Sequence, residues 1–410
     1  MEKKKALFGL PEDVIFCEKC VISNQRPNST VEFKHDITEK KQVIKFDENS
    51  VCEACRYNEK KEKNIDWDKR EKLLQKLCNK YRKNDGSYDI LIPGSGGKDS
   101  GFQSHILKYK YGMNPLTVTW APHLYTDIGW QNFTNWVHVG GFDNILYTPN
   151  GRLHRLLTKL AFKNLLHPFQ PFILGQKQIG ASMAEKYGIK LVMYGENQAE
   201  YGNEGDENNI PNLDPKYFSE SASPMDLVLG GMKVSEIISE YGYKINDFIP
   251  YFPFPYEKIK SSEINVQFLG YYIKWDPQES YYYSSENNGF CANTERTEGS
   301  YSKYSSIDDK IDTFHYYTTL IKFGIGRATY DAAQEIRNCK ITREEGQLLV
   351  KRFDEEFPQK YFDDFLKYID VDQEEFKNIV DSFRSPHLWG KDDSGNWRLR
   401  HNVNKTGLDD

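Results

Sequence analysis

The sequence lacks any long apolar run. Its hydrophobic stretches fall far short of the roughly 20 residues that a membrane-spanning helix needs, and none follows the basic start Met1–Lys5. It also lacks an excess of positive charge, since 54 Lys and Arg face 60 Asp and Glu, for a net charge of -6. A general nucleic-acid surface would need a basic face. We therefore expect a cytoplasmic protein that binds neither a membrane nor nucleic acid.

Cysteine is scarce and uneven. Seven cysteines, an odd number, with no secretion signal argue against a disulfide framework. Four of them form two Cys-x-x-Cys pairs, Cys17/Cys20 and Cys52/Cys55. Four thiolates are the ligand set of a tetrahedral structural zinc, so residues 1–64 are predicted to form a zinc-ribbon-like module with a structural Zn²⁺. An iron–sulfur cluster is the alternative that the same thiolates leave open.

Residues 65–203 show the pattern of a parallel α/β sheet. A charged amphipathic helix over 67–83 serves as a connector within residues 65–87. Four short buried strands and three helices then alternate: strands near 89–92, 116–120, 144–147 and 190–194, helices near 128–139, 152–166 and 175–187. This alternation predicts a parallel sheet with helices on both faces and ligands at the carboxyl ends of its strands.

After residue 203 the alternation lapses. Residues 250–300 are rich in Tyr, Phe, Pro and Ser, and residues 307–385 are charged and helical in pattern. Long loops of this kind usually carry function. We expect residues 204–410 to supply substrate-binding loops and a helical carboxyl-terminal region, whose tail could form a homodimer.

A glycine loop, Gly94-Ser95-Gly96-Gly97-Lys98-Asp99-Ser100, follows the first predicted strand and precedes a helix. It fails as a Walker A loop and as a dinucleotide fingerprint, because Asp99 stands where the first needs Ser or Thr and the second needs Gly. It suits pyrophosphate, which glycine N–H groups, serine hydroxyls and a helix N-terminus can bind. Asp99 is placed to hold Mg²⁺. An ordinary Gly/Ser turn is the alternative.

The loop resembles that of the PP-loop ATP pyrophosphatases, which have a HUP-like fold and split ATP between its α and β phosphates. A second stretch, Gly195-Glu196-Asn197-x-x-Glu200, resembles the nucleotide- and metal-binding stretch of NAD synthetases, with Glu196 in place of threonine. The resemblance implies that Gly195 and Asn197 contact ATP and that Glu200 binds Mg²⁺. A helix-capping turn is an equally good interpretation. Thr119 and Trp120 would then line the adenine pocket.

Longer sequence motifs in the carboxyl-terminal half indicate which family of this superfamily the chain resembles. They are Gly270-Tyr271-Tyr272-Ile273-Lys274-Trp275, Glu295-Arg296-Thr297-Glu298-Gly299 and Lys322-Phe323-Gly324-Ile325-Gly326-Arg327. With the cysteines and the glycine loop, the chain is similar to N-acetyl sugar amidotransferases (the WbpG and PseA type) from about Phe16 to Trp389. The resemblance implies that ATP adenylates the N-acetyl oxygen of a bacterial surface-glycan sugar. Ammonia then replaces AMP and leaves an acetamidino group.

The resemblance also implies a set of site residues and partners. We predict that the leaving groups are stabilised by Lys98, Lys322 and Arg327, and that the substrate carboxylate is bound from among Arg296, Lys303 and Arg337, with Arg343 as a further candidate. Asp308 and Asp309 could bind metal or substrate hydroxyls, or simply favour a helix N-terminus. No glutaminase signature surrounds Cys78, Cys291 or Cys339, so we expect each to be a small buried residue. Ammonia is expected from a separate glutaminase subunit.

Two rival interpretations come from other classes. A tRNA-thiolating PP-loop enzyme needs reactive cysteines at its site and a basic surface for tRNA. This chain is acidic and has no cysteine between Tyr88 and Asn203. A non-catalytic, zinc-stabilised assembly protein would not need Ser95, Asp99 and Ser100 in its glycine loop.

Overall fold

The computed structural model describes residues 4–203 and 210–410, apart from the side chain of Lys260. Its amino-terminal module is built from short bridges, Phe16 with Ser23 and Phe46 with Cys52 among them, and ends in helix α1 (Glu53–Lys63). The connector is helix α2 (Trp67–Tyr81), which begins at the capping residue Asp66. The module packs through Ile22 and Ile44 against the carboxyl-terminal half of the chain.

The centre of the molecule is a five-stranded, all-parallel sheet. Its strand order is β3-β2-β1-β4-β9. Leu91 of β1 lies opposite Leu116 of β2 and Val192 of β4. The strands are β1 (Ile90–Pro93), β2 (Pro115–Trp120), β3 (Asp143–Tyr147), β4 (Leu191–Tyr194) and β9 (Asn265–Phe268). The predicted α/β class is therefore confirmed.

Alternation along the strands explains why helices cover both faces. Leu91 and Val192 join the core beneath α5 and α6, whereas Ile90 and Met193 join the core beneath α2. Neighbouring residues of a strand point to opposite faces, so a fully apolar strand is buried on both sides. The helices of this region are α3 (Lys98–His105), α4 (Asp127–His138), α5 (Gly151–Leu165) and α6 (Gln170–Lys186).

Two helices differ from the predicted bounds. Helix α3 continues as a π-helical turn over Ile106–Lys110. Helix α6 begins at Gln170, earlier than the predicted residue 175, with Pro171 in its first turn. Proline favours the start of a helix because its missing N–H has no partner there anyway.

The fifth strand, β9, lies beyond residue 203, where the predicted sheet domain ended. It pairs in parallel with β4, with Leu191 opposite Asn265. The chain between β4 and β9 forms small elements: β5 (Ser219–Glu220), β6 (Val228–Leu229), β7 (Met232–Lys233), α7 (Val234–Tyr241), β8 (Phe254–Pro255) and α8 (Tyr256–Ser262). This excursion breaks the alternation on which the prediction depended.

The carboxyl-terminal region is helical, as predicted. Helix α9 (Pro277–Asn287) packs on α3. The others are α10 (Asp312–Phe323), α11 (Arg327–Arg337), α12 (Arg343–Phe353), α13 (Phe362–Ile369) and α14 (Gln373–Ser382), followed by the hairpin β10 (Trp389–Lys391) and β11 (Trp397–Leu399).

The isolated cysteines are not alike. Cys78 is fully buried in the core beneath α2, as expected. Cys291 is half-buried and Cys339 is exposed, contrary to the expectation that each is buried. Cys339 follows the last turn of α11 with a φ of 58°, where the chain leaves the helix toward solvent. Within the described ranges, no helix combines the length and apolarity that crossing a membrane requires.

Candidate functional site

The glycine loop lies at the carboxyl end of β1, against the amino end of α3. Gly96 has a φ of 84°, and a Cβ there would lie 2.7 Å from the Cα of Phe133. A Cβ at Gly94 would lie 2.5 Å from the Cβ of Ser100. Gly96 is therefore required by its backbone conformation and by the close approach of Phe133, and Gly94 is required because a side chain there would meet Ser100.

Ser100 closes the loop on itself. Its Oγ accepts a hydrogen bond from Gly96 N (3.1 Å) and donates one to Gly97 O (3.0 Å). The hydroxyl expected to contact phosphate therefore holds the loop in shape. Lys98 Nζ contacts Asp99 Oδ2 at 2.5 Å, whereas the buried Asp99 Oδ1 has no hydrogen-bond partner among the described residues. That oxygen is free to bind a cation.

The first of three adjoining cavities, the sheet-edge cavity, has a volume of ≈ 340 Å³. It runs from the loop across the ends of β2 and β4 to α6 and is lined by Gly94, Trp120, Lys177 and Gly195 among others. Gly175 lets the Trp120 ring lie against α6, because a Cβ there would come within 2.2 Å of it. The buried indole N–H of Trp120 has no partner among the described residues.

Two residues predicted to contact the nucleotide face elsewhere. Thr119 is fully buried, and its Oγ1 accepts a hydrogen bond from Asn144 (3.0 Å). It precedes Trp120 on the same strand, so it points to the opposite face. Asn197 is also buried and uses its Oδ1 to cap a short helical turn at Ala199 N (3.1 Å). Gly195, in contrast, lines the sheet-edge cavity.

The second, the central cavity, has a volume of ≈ 270 Å³ and shares Ser95, Gly97, Asp99 and Glu196 with the first. It is lined on the loop side by Ser95, Gly96, Gly97, Lys98 and Asp99, and on the carboxyl-terminal side by Asp308, Asp312, Tyr316, Arg327 and Gln334. The structure therefore brings Arg327 to the same cavity as the loop, as the sequence resemblance implied.

Arg327 is held by its own helix. Its Nε and Nη2 lie 3.1 and 3.0 Å from the carboxylate of Asp331, one turn further along α11. Its guanidinium carbon lies 4.3 Å from the centre of the Tyr316 ring. These contacts fix the side chain at the cavity wall with its charge retained.

A backbone junction joins the two halves of the central cavity. Thr126 N donates to Asp308 O (3.1 Å), and Gly129 allows α4 to lie on that segment, since its Cβ would be 2.5 Å from the Cα of Asp308. Asp309 accepts hydrogen bonds from His123 N (2.7 Å) and Nδ1 (2.8 Å). Asp309 thus anchors the junction, whereas Asp308 faces the cavity.

Glu200, the residue expected to bind Mg²⁺, is engaged in an ion pair, whereas Glu196, whose role the sequence left open, lies beside the loop. Glu200 is buried, and Lys61 Nζ contacts both of its carboxylate oxygens at 3.0 and 3.1 Å. Glu200 therefore lies away from Asp99, in an ion pair with α1. Glu196 lines both cavities beside the loop, and the Tyr201 phenol donates a hydrogen bond to it. Burial raises the pKa of Glu196, and the charge of Asp99 raises it further.

The acidic groups of the central cavity crowd one another. Burial and the charge of Asp309 raise the pKa of Asp308. Burial raises the pKa of Asp312 to about 7 against the opposing effect of Arg327. Carboxylate oxygens are the ligands that Mg²⁺ prefers, and Asp99 and Glu196, which line both cavities, offer two of them beside the loop. One or two carboxylates together with phosphate oxygens are a usual donor set for Mg²⁺.

Lys322 is not brought to the loop. Helix α10 directs it between the rings of Phe8 and Phe383, where its Nζ donates to Leu165 O (2.6 Å). Burial lowers its pKa to about 7, and the charge of Lys41 adds to the effect. The ammonium satisfies the carboxyl end of α5 rather than a phosphate.

The residues predicted to bind the substrate carboxylate are scattered. Arg296 forms a bidentate pair with Glu356, with both contacts at 2.6 Å. Lys303 is exposed, and its Nζ donates to Thr294 O (3.0 Å). Arg343 donates to the carbonyl oxygens of Cys17 and Cys20 in the amino-terminal module, which we call the cysteine module (residues 4–64). Arg337 alone of the four lines a cavity that adjoins the central one.

The four paired cysteines form one buried cluster. Cys17 Sγ lies 3.9 Å from Cys55 Sγ, and Cys20 Sγ lies 3.8 Å from Cys52 Sγ. Zinc–sulfur bonds of about 2.3 Å in a tetrahedron place the sulfurs about 3.8 Å apart. Cys17 Sγ also accepts a hydrogen bond from Cys52 N (3.3 Å). The cluster can bind zinc, as the spacing predicted.

Four further residues line the cavities without having been predicted from the sequence: Tyr201, Tyr316, Asp312 and Arg26. Asp312 and Tyr316 lie four apart on α10, so a helical period could have placed them on one face. No local pattern marks Arg26, which belongs to the cysteine module and reaches its cavity only through the packing of that module on α11.

Residues 298–404 match the family model described as the C-terminal domain of LPS biosynthesis protein WbpG-like proteins. The match confirms the predicted relationship to the WbpG type and supports a role in glycan biosynthesis. The matched segment carries Asp312, Tyr316 and Arg327, which form one wall of the central cavity, and Arg337, which lines the adjoining cavity. No curated protein matches the chain.

Proposed function

We propose that the protein is an ATP-dependent N-acetyl sugar amidotransferase. It would convert the N-acetyl group of a bacterial surface-glycan sugar, of the pseudaminic acid, legionaminic acid or acetamido-uronate type, to an acetamidino group. The observation that carries the proposal is the central cavity, where the glycine loop meets Asp312 and Arg327 of the WbpG-like region. The glycine loop, which would bind the phosphates of ATP, and side chains of the matched family segment line the same cavity.

The chain's own groups suit adenylation. The loop amides and the amino end of α3 would bind the β and γ phosphates, with Lys98 beside them. The adenine would lie in the sheet-edge cavity against Trp120. Asp99 and Glu196 would hold Mg²⁺, which neutralises phosphate charge when bound. The α-phosphate would then face the central cavity, where Arg327 is positioned to neutralise the departing AMP.

The acceptor chemistry explains why ATP is needed. An amide oxygen is a poor leaving group, and adenylation with release of pyrophosphate turns it into the oxygen of AMP. Ammonia attacks the imidate carbon, the C–O bond to AMP breaks, and the product keeps the C–N bond as an amidinium. Positioning and charge neutralisation suffice, without a covalent nucleophile. We propose a separate glutaminase subunit as the source of ammonia.

The test is formation of AMP and pyrophosphate from ATP, Mg²⁺ and ammonium chloride with free, CMP-linked and UDP-linked N-acetylated sugars. Mass spectrometry identifies the product in which NH has replaced one oxygen. Asp99→Asn should lower the rate at least about 100-fold, because a metal contact contributes several kcal/mol to the transition state. Asp85→Asn, in an exposed turn before β1, is the matched control. Equal rates in the two variants would remove Asp99 from the site.

A further inference from the structure

A third cavity, the arginine cavity, lies between the cysteine module and α11 and has a volume of ≈ 290 Å³. Two guanidinium groups, those of Arg26 and Arg337, line it in addition to Arg327. Among the described residues of its lining, Asp331 is the one acid, and it is engaged by Arg327 and by the hydroxyl of Ser300 (2.5 Å). Within this described lining, positive charge therefore exceeds negative charge.

Arg26 has aromatic neighbours, and no acidic one among the residues that the structure describes. Its guanidinium carbon lies 5.5 Å from the centre of the Tyr201 ring and 5.4 Å from that of Tyr330. No ion pair joins it to a carboxylate in residues 4–203 or 210–410. Burial lowers its pKa, and the charge of Arg337 contributes to the lowering. Two like charges are thus held near each other at a cost in free energy.

Arg337 is also incompletely paired. Its Nη2 donates to the carbonyl oxygen of Glu200 (3.1 Å), but its buried Nε has no partner among the described residues. The Glu200 carboxylate is itself engaged by Lys61. A buried N–H without an acceptor costs free energy, which a bound anion would recover.

The arginine cavity adjoins the central cavity, the site of the proposed chemistry. Tyr201, Tyr316, Arg327 and Gln334 line both it and the central cavity. Tyr201 spans the two, since its ring contacts Arg26 while its phenol donates to Glu196. A ligand whose reacting group lies at the glycine loop can therefore place a second group between the two arginines.

We propose that Arg26 and Arg337 form an anion-binding subsite that holds a carboxylate or a phosphate group of the acceptor. The subsite is shared between the cysteine module and α11, so the module forms part of the substrate site as well as a stabilising element. Guanidinium groups bind planar or tetrahedral oxyanions through paired N–H donors, and a shared anion offsets their mutual repulsion. Its assignment to the acceptor rests on the proposed function.

The experiment measures binding by calorimetry to the full chain saturated with Mg²⁺ and α,β-methylene-ATP, so that the glycine loop is occupied. The probes are N-acetylneuraminate, with a carboxylate, N-acetylmannosamine 6-phosphate, with a phosphate, and neutral N-acetylmannosamine. We expect at least one anionic probe to bind about 10-fold or more tightly than the neutral sugar. The anionic probe that binds more tightly shows whether the subsite prefers a carboxylate or a phosphate.

Arg26→Gln and Arg337→Gln should each remove this preference, whereas Arg152→Gln, an exposed change on α5, should keep it. Arg26→Lys should keep only part, because an ammonium lacks the paired donors. Thermal unfolding and affinity for the ATP analogue show that each variant is folded. The proposal is overturned if the wild type shows no preference for the anionic probes. It is also overturned if Arg26→Gln, Arg26→Lys and Arg337→Gln all keep the full preference.

Turnover separates this proposal from the proposed function. If the anionic preference is present but no acceptor yields AMP, the amidotransferase proposal fails and the subsite stands. If neutral and anionic acceptors yield AMP equally well, the subsite fails and the amidotransferase proposal stands.

Discussion

Lys61 Nζ lies 3.0 Å from Glu200 Oε1, and both side chains are almost completely buried, at 0% and 4% exposed. The ammonium also donates to the carbonyl oxygen of Trp275 (2.9 Å). This pair ties α1 of the cysteine module to the segment after β4. Because its carboxylate is paired with Lys61, Glu200 does not lie at the metal site that the sequence resemblance implied for it. Glu196 lies beside the loop instead.

Breaking the pair should destabilise the fold rather than the chemistry. Glu200→Gln leaves a buried ammonium uncompensated, so we expect the free energy of unfolding in urea to fall by about 3–5 kcal/mol. The double variant Lys61→Met/Glu200→Leu should recover part of it, since no unpaired charge remains. A Glu200→Gln protein of unchanged stability that has lost Mg²⁺-dependent AMP formation would return Glu200 to the metal site.

The glycine loop offers a matched pair of substitutions. Gly96 and Gly86 have φ angles of 84° and 82°, but a Cβ at Gly96 meets the backbone of Phe133 whereas one at Gly86 meets nothing within 4 Å. Gly86→Ala should cost only the left-handed backbone penalty, about 1 kcal/mol. Gly96→Ala should in addition distort the loop and weaken binding of α,β-methylene-ATP at least about 10-fold by calorimetry. Equal affinities in the two variants would exclude Gly96 from the phosphate site.

The cysteine cluster predicts a defined metal content. Purified protein should carry zinc at one ion per chain, because four thiolates complete one tetrahedral site. Cys52→Ser should lose the zinc and unfold at a lower temperature, while Cys339→Ser, at an exposed position, should change neither. Elemental analysis provides the measurement. Iron and sulfide in place of zinc would instead establish the iron–sulfur alternative.

His387 makes stability depend on pH. Its ring donates to Gln25 Oε1 (3.0 Å) and accepts from Ser385 Oγ (2.6 Å), and burial lowers its pKa to about 4. The unfolded chain binds a proton on this ring near pH 6.5 and the folded chain only near pH 4, so stability is retained above pH 6.5 and falls as the pH drops toward 4. The loss attributable to this ring should be about 3 kcal/mol.

His387→Gln should abolish that share of the pH dependence. Urea unfolding of the variant and the wild type between pH 4.5 and 7 measures it. Parallel stability curves for the two proteins would mean that the ring is protonated equally in the folded and unfolded chains.

Local pattern was sufficient for much of the sheet but not for its edge. The strands Ile90–Pro93 and Leu191–Tyr194 are buried on both faces, and their continuous apolar sequences predict this burial. Strand β9 has the mixed sequence Asn265-Val266-Gln267-Phe268 and follows a long excursion. Its place beside β4 depends on contacts distant in sequence, which no window along the chain contains.

The site divides in a similar way. The prediction that both Thr119 and Trp120 line one pocket conflicts with the period of a strand, and the strand rule alone would have favoured one of them. The choice between Glu196 and Glu200 could not be made from the motif, because it depends on Lys61 in another element. The same holds for Arg296 and Arg337: Arg296 is paired with Glu356, whereas Arg337 donates to the Glu200 carbonyl oxygen and its buried Nε has no partner among the described residues.

The sequence by itself determined the ligand types: four thiolates in two pairs, and a loop of glycines, serines and one aspartate between a buried strand and a helix. These properties are local, since they follow from residue chemistry and from spacing along the chain. Only the tertiary structure decided what crowds the loop, which charged side chains are already paired and which face a cavity. These outcomes depend on distances between segments far apart in the chain: Phe133 approaches Gly96, and Lys61, Arg296 and Lys322 have their partners. Within residues 4–203 and 210–410, Arg26 forms no ion pair and the buried Nε of Arg337 has no hydrogen-bond partner.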